Sequence, residues 1–188
     1  MKSVEPIRDI DDIERMKDYL KEKNERDFVL VVVGLYSGMR ISDILVLKVR
    51  DVLLDRIRIT EKKTGKTKVF AINPVMRKVL DQYIKNKKLK EYDYLFPSRK
   101  RDKDNGSKIV PIGRVAAYQI IKDAANHVGL KNIGTHSLRK TFGYHHYKKY
   151  GNVAILMEIF NHSSPDITLV YIGYKQDEID KYMVDFSY

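Results

Sequence analysis

The apolar run over residues 28–35 constrains the fold more than any other feature of the sequence. Residues 27–37 are nearly all apolar, and Gly38 follows where a left-handed helix C-cap is expected. A helix that is apolar on every side is buried on every side. The run is also far shorter than the ~20 residues that a membrane span requires. We therefore predict a buried central helix in a soluble protein.

Helical spacing of apolar residues recurs through most of the chain. An amphipathic helix is predicted over residues 10–24, with Asp11 or Asp12 as its N-cap. Arg40 would open a short helix, because apolar residues repeat at helical spacing after it. Thr135 is the candidate N-cap of another helix. The further predicted helices cover residues 74–87, 113–128, 135–150, 152–160 and 165–171.

Two short segments alternate polar and apolar residues as β-strands do. Residues 56–60 and 68–72 flank a turn that contains Lys and Gly, which predicts a β-hairpin with a basic tip. The basic segment 87–108 is predicted to be an exposed loop that Leu95 and Phe96 anchor to the core. The predicted fold class is therefore α+β, mainly α-helical with a small antiparallel β-hairpin or sheet.

The charge balance indicates a polyanionic partner. Thirty-six Lys and Arg residues against 25 Asp and Glu residues give a formal net charge of +11. Nucleic acid is the first candidate for that partner. The sequence contains no Cys, which excludes disulfides, thiolate metal sites and a cysteine nucleophile. Residues 1–10 lack the apolar stretch of a signal peptide, so a cytoplasmic protein is expected.

Missing motifs narrow the chemistry further. The sequence has no glycine-rich phosphate loop, no His-Glu-x-x-His and no Gly-x-Ser-x-Gly, and its acidic residues lack the pairing typical of metal-dependent nucleases. Attack on a phosphodiester without metal needs Arg, Lys or His to stabilise negative charge. His136 and Arg139 lie three residues apart at a predicted helix start, where the helix dipole favours an anion. The same pair would also fit a basic helix face that contacts solvent or the DNA backbone.

Several short segments occur in an order and spacing that one protein family shares. They are Tyr-Ser-Gly-Met-Arg-Ile-Ser-Asp-Ile-Leu at 36–45, Lys-Lys-Thr-Gly-Lys at 62–66, Tyr-Leu-Phe-Pro at 94–97, Thr-His-Ser-Leu-Arg-Lys-Thr at 135–141, Phe-Asn-His-Ser-Ser at 160–164 and Thr-Leu-Val-Tyr-Ile at 168–172. Together they resemble the tyrosine recombinases of the phage integrase family, with their two arginine boxes, hairpin lysine, Leu-Gly-His-Ser-Ser box and nucleophilic tyrosine. The resemblance extends from Ile13 to about Tyr174.

The resemblance implies three residues that bind the scissile phosphate. Arg40 and Arg139 would hold its non-bridging oxygens, because a planar guanidinium makes bidentate contacts that Lys cannot copy. His162 would donate a hydrogen bond to the phosphate. Asp43, one turn from Arg40, would orient its surroundings or serve only as a capping or salt-bridging residue.

The resemblance also implies how the strand is cut. Tyr171 would attack phosphorus and form a 3′-phosphotyrosine, with His136 as the candidate base. Lys63 would protonate the leaving 5′ oxygen, although Lys62 and Lys66 are close alternatives. No metal and no other cofactor would be needed.

The expected organisation is a single catalytic domain over residues 1–188, since no repeat or linker divides the chain. The helical N-terminal core-binding domain of many family members does not precede Ile13, and the sequence leaves open whether the chain is a fragment or a short stand-alone member. The partner would be double-stranded DNA, on which the chain would form a homo-oligomer, a tetramer. The tail 174–188 would dock in trans on a neighbouring protomer or in cis; its apolar stripe is Ile179, Tyr182, Met183 and Phe186.

Three functions remain compatible with these residues. The favoured one is a site-specific recombinase or integrase catalytic domain. A type I topoisomerase-like enzyme would share the tyrosine chemistry, and a basic DNA-binding regulator would need none of it. The complete residue set argues against the regulator, because a protein that only binds DNA has no use for Tyr171 nine residues after His162.

Overall fold

Helices dominate the computed structural model of the chain, which describes residues 4–60, 65, 67–102 and 108–187. They are α1 (Ile10–Lys23), α2 (Glu25–Ser37), α3 (Ile41–Ile44), α4 (Pro74–Lys87), α5 (Arg114–His127), α6 (Thr135–Tyr150), α7 (Val153–Phe160), α8 (Pro165–Tyr171) and α9 (Tyr174–Asp185). A short 3₁₀ helix covers Val49–Val52. None of the helices in the described ranges has both the length and the apolar character for a bilayer span.

Helix α2 is the buried central helix that its composition predicts. Val29, Leu30 and Val33 pack into one core cluster, which α4 and the first hairpin complete. Val31 and Leu35 face the second cluster, formed with α1, α5 and α6. Gly38 ends the helix with φ of 63°, a left-handed conformation that costs glycine little.

The predicted hairpin is present. Strand β1 (Arg56–Thr60) pairs antiparallel with β2 (Thr67–Ala71), with Arg56 opposite Ala71. Ile57 and Phe70 form an opposed pair that is buried in the core, which fixes the register of the hairpin. Residues 61–64 and 66 of its tip lie outside the described part of the chain, so the predicted Lys63 does too.

The prediction of a loop over residues 87–108 is wrong in part. Strands β3 (Pro97–Asp102) and β4 (Lys108–Pro111) pair antiparallel within and beside this segment. The strand β3 is mostly charged and lacks the alternation of a half-buried strand, so backbone pairing and not side-chain burial defines it. Leu95 and Phe96 are fully buried, as predicted.

Two helix starts differ from their predicted caps. The N-cap of α1 is Asp9, whose carboxylate accepts from the backbone N–H of Asp11, and neither Asp11 nor Asp12 caps it. The N-cap of α6 is Gly134, and Thr135 is already the first helical residue. The Ser137 hydroxyl accepts from the Gly134 N–H at 3.0 Å, which supplies the polar contact at this terminus.

A third apolar cluster fixes the C-terminal helices. Tyr144, Leu156, Phe160 and Ile172 form its buried part and join α6, α7 and α8. Helix α6 makes this contact at Gly143, where an added Cβ would lie 2.6 Å from Ile172 Cγ2 and 2.7 Å from Phe160 Cε2. This close approach sets where α8 presents its last residue, Tyr171.

The N-terminal segment before α1 lies along α6. Lys140 Nζ donates to the Val4 carbonyl at 2.8 Å, and the Ile7 N–H donates to the Thr141 hydroxyl at 2.8 Å. Arg8 pairs with Asp177 of α9 through both carboxylate oxygens, each 2.9 Å from its Nε. The segment is therefore fastened to two C-terminal helices.

Candidate active site

Five of the six predicted catalytic side chains line one cavity of about 270 Å³. They are Arg40, His136, Arg139, His162 and Tyr171, and Phe160 and Asn161 complete the lining. The sixth, Lys63, lies outside the described residues. Side chains separated by more than 130 positions in the sequence therefore converge on one small concave site.

Arg139 is held in the floor of this cavity. Its side chain is 4% exposed on α6, and its guanidinium donates to the carbonyl oxygens of Gly38 and Phe160. The guanidinium carbon lies 4.4 Å from the centroid of the Phe160 ring, within cation–π distance. These contacts join the end of α2 to the end of α7 and fix a permanent positive charge in the site.

Arg40 brings a second positive charge from another direction. It is the N-cap residue of α3, two residues after the left-handed Gly38. The turn at Gly38 directs the chain back toward α6, where the Phe142 ring leaves no room for a Cβ at that position. Asp43, three residues later in α3, is buried at 5% exposure.

Tyr171 ends α8 with its ring against the cavity. The ring centroid lies 5.0 Å from that of His162 and 5.5 Å from that of Phe160, both at steep interplanar angles. Burial raises the pKa of Tyr171 above its ordinary value, while the charge and hydrogen bond of Arg139 and the charge of Arg40 oppose that rise. The resting phenol is therefore protonated and needs a base before it can attack.

Both cavity histidines are biased toward the neutral form. Burial lowers the pKa of His162, and the charges of Arg139, Arg40 and Lys68 lower it further. His136 is exposed, yet desolvation is still the largest cause that lowers its pKa, followed by the charges of Arg139, Lys140 and Arg40. A neutral imidazole near pH 7 can accept a proton, which a general base requires.

Asn161 shapes the turn that places His162. It adopts a left-handed conformation with φ of 56°, which Gly and Asn reach most readily among the amino acids. The next N–H, that of His162, donates to the Met157 carbonyl and closes α7. Asn therefore meets the same backbone requirement that glycine meets in the Leu-Gly-His-Ser-Ser box.

The tip end of the first hairpin contacts the same corner. Lys68 on β2 donates to the carbonyl oxygens of Glu158 and Ile159 at 3.1 and 2.8 Å, at the C-terminal end of α7. Lys68 is paired with Ile59, next to the last pair before the turn, so this end of the hairpin lies within one helical turn of Phe160. Lys63 stands five residues earlier in the sequence, and its predicted role remains a prediction.

The other three histidines lie apart from this cavity. His145 bonds the Ile7 carbonyl at 2.9 Å, and His127 stacks on Tyr19 with centroids 3.9 Å apart. Sequence reasoning left them unassigned, but it missed Phe160, whose ring supports Arg139 and contacts both His162 and Tyr171. Within the described ranges, no three His, Asp or Glu side chains gather where they would hold a metal ion.

Two guanidinium groups and two imidazoles around one phenol form a site for an anion that a phenol can attack. The sequence model of the phage integrase family matches residues 9–178. The chain belongs to the phage integrase family. The matched residues include all six predicted catalytic positions, five of which line the cavity.

Two relatives with assigned names show how this integrase-family chain compares in length. It is 44% identical over 178 residues to "Probable integrase/recombinase YoeC" of Bacillus subtilis (strain 168). The aligned region covers 94% of this chain and 93% of YoeC. It is 26% identical over 150 residues to the tyrosine recombinase XerA of Pyrococcus horikoshii, covering 79% of this chain but 50% of XerA. The chain thus spans nearly all of one relative and about half of the other.

The fold is that of a tyrosine recombinase catalytic domain. The crystal structure of the site-specific recombinase XerH, bound to palindromic difH substrate in a post-cleavage complex, superposes with a TM-score of 0.72. The match covers 98% of this chain and 54% of XerH at 20% identity. A mainly helical domain with small antiparallel pairings, as the sequence predicts, is therefore confirmed.

Proposed function

We propose that the chain cleaves and rejoins DNA strands as the catalytic domain of a site-specific recombinase or integrase, through a 3′-phosphotyrosine. The observation that carries the proposal is the placement of the Tyr171 ring in one cavity with two arginines and two histidines. A phosphate is the anion that such a site fits best, because each guanidinium offers paired donors to its oxygens. Family membership and the formal charge of +11 support DNA as the source of that phosphate.

In the proposed reaction, Arg40 and Arg139 bind the non-bridging oxygens of the scissile phosphate. His136 accepts the phenolic proton of Tyr171, and the phenolate oxygen attacks phosphorus. The bond from phosphorus to the 5′ oxygen breaks, and that oxygen takes a proton from Lys63. The phosphodiester energy is conserved in the new tyrosine ester, so rejoining needs only the reverse steps.

His162 contributes to the same step as a donor to the phosphate. Its Nε2 would hydrogen-bond a phosphate oxygen as negative charge develops. The fixed charges of the two arginines supply most of the stabilisation, because they are in place before the DNA binds and cannot be neutralised near pH 7.

The proposal extends to assembly. We infer that residues 1–188 act as one catalytic domain, that the protein works on DNA in the cytoplasm, and that four copies assemble on paired sites. Helix α9 supports the assembly, because none of its described side chains is buried and it carries exposed Tyr182, Met183 and Phe186. A helix of this composition gains free energy by docking on a neighbouring protomer.

A trapping assay tests the reaction. Wild type, Tyr171→Phe and a matched control, Tyr92→Phe, are incubated with nicked suicide substrates that contain candidate attachment sites, and covalent adducts are resolved on denaturing gels. Tyr92 is exposed, its ring contacts Arg50, and it does not line the cavity. We expect adducts with wild type and the control and none with Tyr171→Phe.

Two other results would change the assignment. Adducts at unrelated sequences, with relaxation of supercoiled DNA, would favour the topoisomerase-like activity. DNA binding without an adduct on any substrate, also when the chain is tested together with any additional residues of its full-length protein, would overturn strand cleavage and favour a DNA-binding regulator.

A further inference from the structure

The fully buried Thr168 hydroxyl connects the nucleophile helix to a cavity histidine. Thr168 lies in α8, one turn before Tyr171, and its side chain has no exposed surface. Its Oγ1 lies 3.1 Å from Nδ1 of His162 and 3.1 Å from the carbonyl oxygen of Ser164. Neither the predicted catalytic set nor the family boxes give this hydroxyl a role.

The Thr168 hydroxyl has a single proton, which it can donate to only one of its two neighbours, Ser164 or His162. The Ser164 carbonyl can only accept, so a hydrogen bond at that distance requires the Thr168 hydroxyl to donate to it. This is the usual bond of a helical Thr to the carbonyl four residues earlier. The hydroxyl then has only lone pairs left for His162, and Nδ1 must carry a hydrogen to bond it.

We propose that Thr168 is a positioning residue that holds His162 as the Nδ1–H tautomer. The opposite nitrogen, Nε2, then faces the cavity with a lone pair when the ring is neutral. It can donate to a phosphate oxygen only after the ring takes up a proton. His162 therefore acts as a phosphate donor in its imidazolium form alone.

The groups around His162 agree with a ring that is neutral until phosphate binds. Burial lowers the pKa of His162, and cations on three other elements act in the same direction. The charged and titratable groups that face the ring are Arg40 beside α3, Lys68 on β2, His136 and Arg139 on α6, and Tyr171 on α8. A bound phosphodiester adds a negative charge to this set and raises the pKa of His162, which couples phosphate binding to proton uptake.

Nuclear magnetic resonance tests the tautomer without DNA. Long-range ¹H–¹⁵N correlations of the histidine rings are recorded above pH 7.5, and the His162 signals are assigned by their loss in His162→Gln. We expect the Nδ1–H pattern in wild type and in Thr168→Ser, which keeps the hydroxyl. Thr168→Val has nearly the same shape without the hydroxyl, and we expect it to lose the bias. An Nε2–H tautomer in wild type would overturn the proposal.

Adduct formation at saturating suicide DNA tests the consequence, and this part rests on the proposed strand cleavage. Between pH 6 and 9 the wild-type rate should fall as the bound His162 loses its proton. Thr168→Val should flatten that fall and react faster than wild type at pH 9, because a neutral ring without the tautomer bias can still donate to the phosphate from Nε2. Thr168→Ser should restore both the slope and the rate.

The two parts of the test fail separately. An Nδ1–H tautomer in a protein that forms no adduct would leave the positioning role intact and contradict strand cleavage. An unchanged pH slope in a folded, active Thr168→Val variant would show that Thr168 serves only the packing of α8, and would overturn its role through His162. Thermal unfolding of each variant separates a loss of fold from either result.

Discussion

Charged side chains usually lie at the surface and apolar side chains in the interior. Helices α6 and α9 each depart from one half of this rule. The first half of α6 buries Arg139 and Lys140, which are 4% and 8% exposed. The C-terminal part of α9 leaves Tyr182 74% exposed and Val184 82% exposed. Buried charge is costly unless it is compensated, and an exposed apolar patch is costly unless it is covered. The comparison teaches that the two departures fit the two proposed roles: fixed charge in α6 fits an anion, and uncovered apolar surface on α9 fits docking on a neighbouring protomer.

The largest expected effect comes from replacing the buried guanidinium group of α6. Arg139→Lys keeps the charge but cannot reach two carbonyls and a phosphate with one ammonium. We expect adduct formation to slow by about 10²–10³-fold, the effect of removing one donor to a transition-state oxyanion. The rate of adduct formation in single-turnover assays measures it.

The control for this change is Arg114→Lys, at the first position of α5 and away from the cavity. It should leave the rate within twofold of wild type. Equal rates for Arg139→Lys and wild type would show that a second positive charge at this position suffices, and the bidentate role of Arg139 would be wrong.

The packing that positions α6 against α8 comes next in size. Gly143→Ala places a methyl group 2.6 Å from Ile172 Cγ2 and 2.7 Å from the Phe160 ring, so buried groups must shift. Overpacking costs more than the roughly 1 kcal/mol that Ala gains over Gly in a helix. We expect a net loss of about 1–2 kcal/mol in the free energy of unfolding, measured in urea. Gly113→Ala is the matched control, because nothing lies within 4 Å of the added Cβ.

The cavity should also make stability depend on pH. The pKa values of His136 and His162 are lowered in the folded state, chiefly by desolvation. The unfolded chain therefore binds protons first as the pH falls below about 7, and the free energy of unfolding decreases between pH 7.5 and 6. Urea midpoints at both pH values measure the decrease, which should shrink in His162→Gln. A midpoint that rises on acidification would contradict the sign.

The smallest expected effect on stability is in α9. Replacement of Tyr182, Met183 and Phe186 by Ser should change the melting temperature very little, because these side chains are exposed in the isolated chain. The same variant should lose assembly on DNA, followed by analytical ultracentrifugation with a candidate site. A matched variant, Leu54→Ser with Val115→Ser, removes exposed apolar surface elsewhere and should assemble normally. A large drop in melting temperature for the α9 variant alone would indicate docking in cis.

The sequence was most informative where a local pattern decides the structure. Two examples are the apolar run of α2 with its terminal glycine and the helix that places Tyr171 nine residues after His162. Both are predictable because periodicity and turn residues act over short distances. The pairing of β3 with β4 was missed because β3 is mostly charged and is defined by backbone hydrogen bonds, which leave no periodic pattern in the sequence. Both missed caps lie just before the predicted ones: Asp9 lies two residues before Asp11, and Gly134 lies one residue before Thr135.

The site divides in the same manner. Residues with a distinctive chemical type at a fixed spacing could be predicted, and five of them line one cavity, whereas residues that act by contact could not be predicted. Phe160 supports Arg139 and Thr168 bonds His162, but a Phe and a Thr in helices are too common to stand out in one sequence. Only the three-dimensional packing of α6, α7 and α8 brings them next to the predicted catalytic residues.

The fastening of residues 4–8 gives the domain a mechanical property. Lys140, which donates a hydrogen bond to the Val4 carbonyl, is the neighbour of Arg139 on α6. Arg8 forms an ion pair with Asp177 in the first turn of α9. A force on the chain at Val4 would therefore act on α6 next to Arg139 and, through Arg8, on the start of α9. Residues 4–8 form a mechanical link between these two helices.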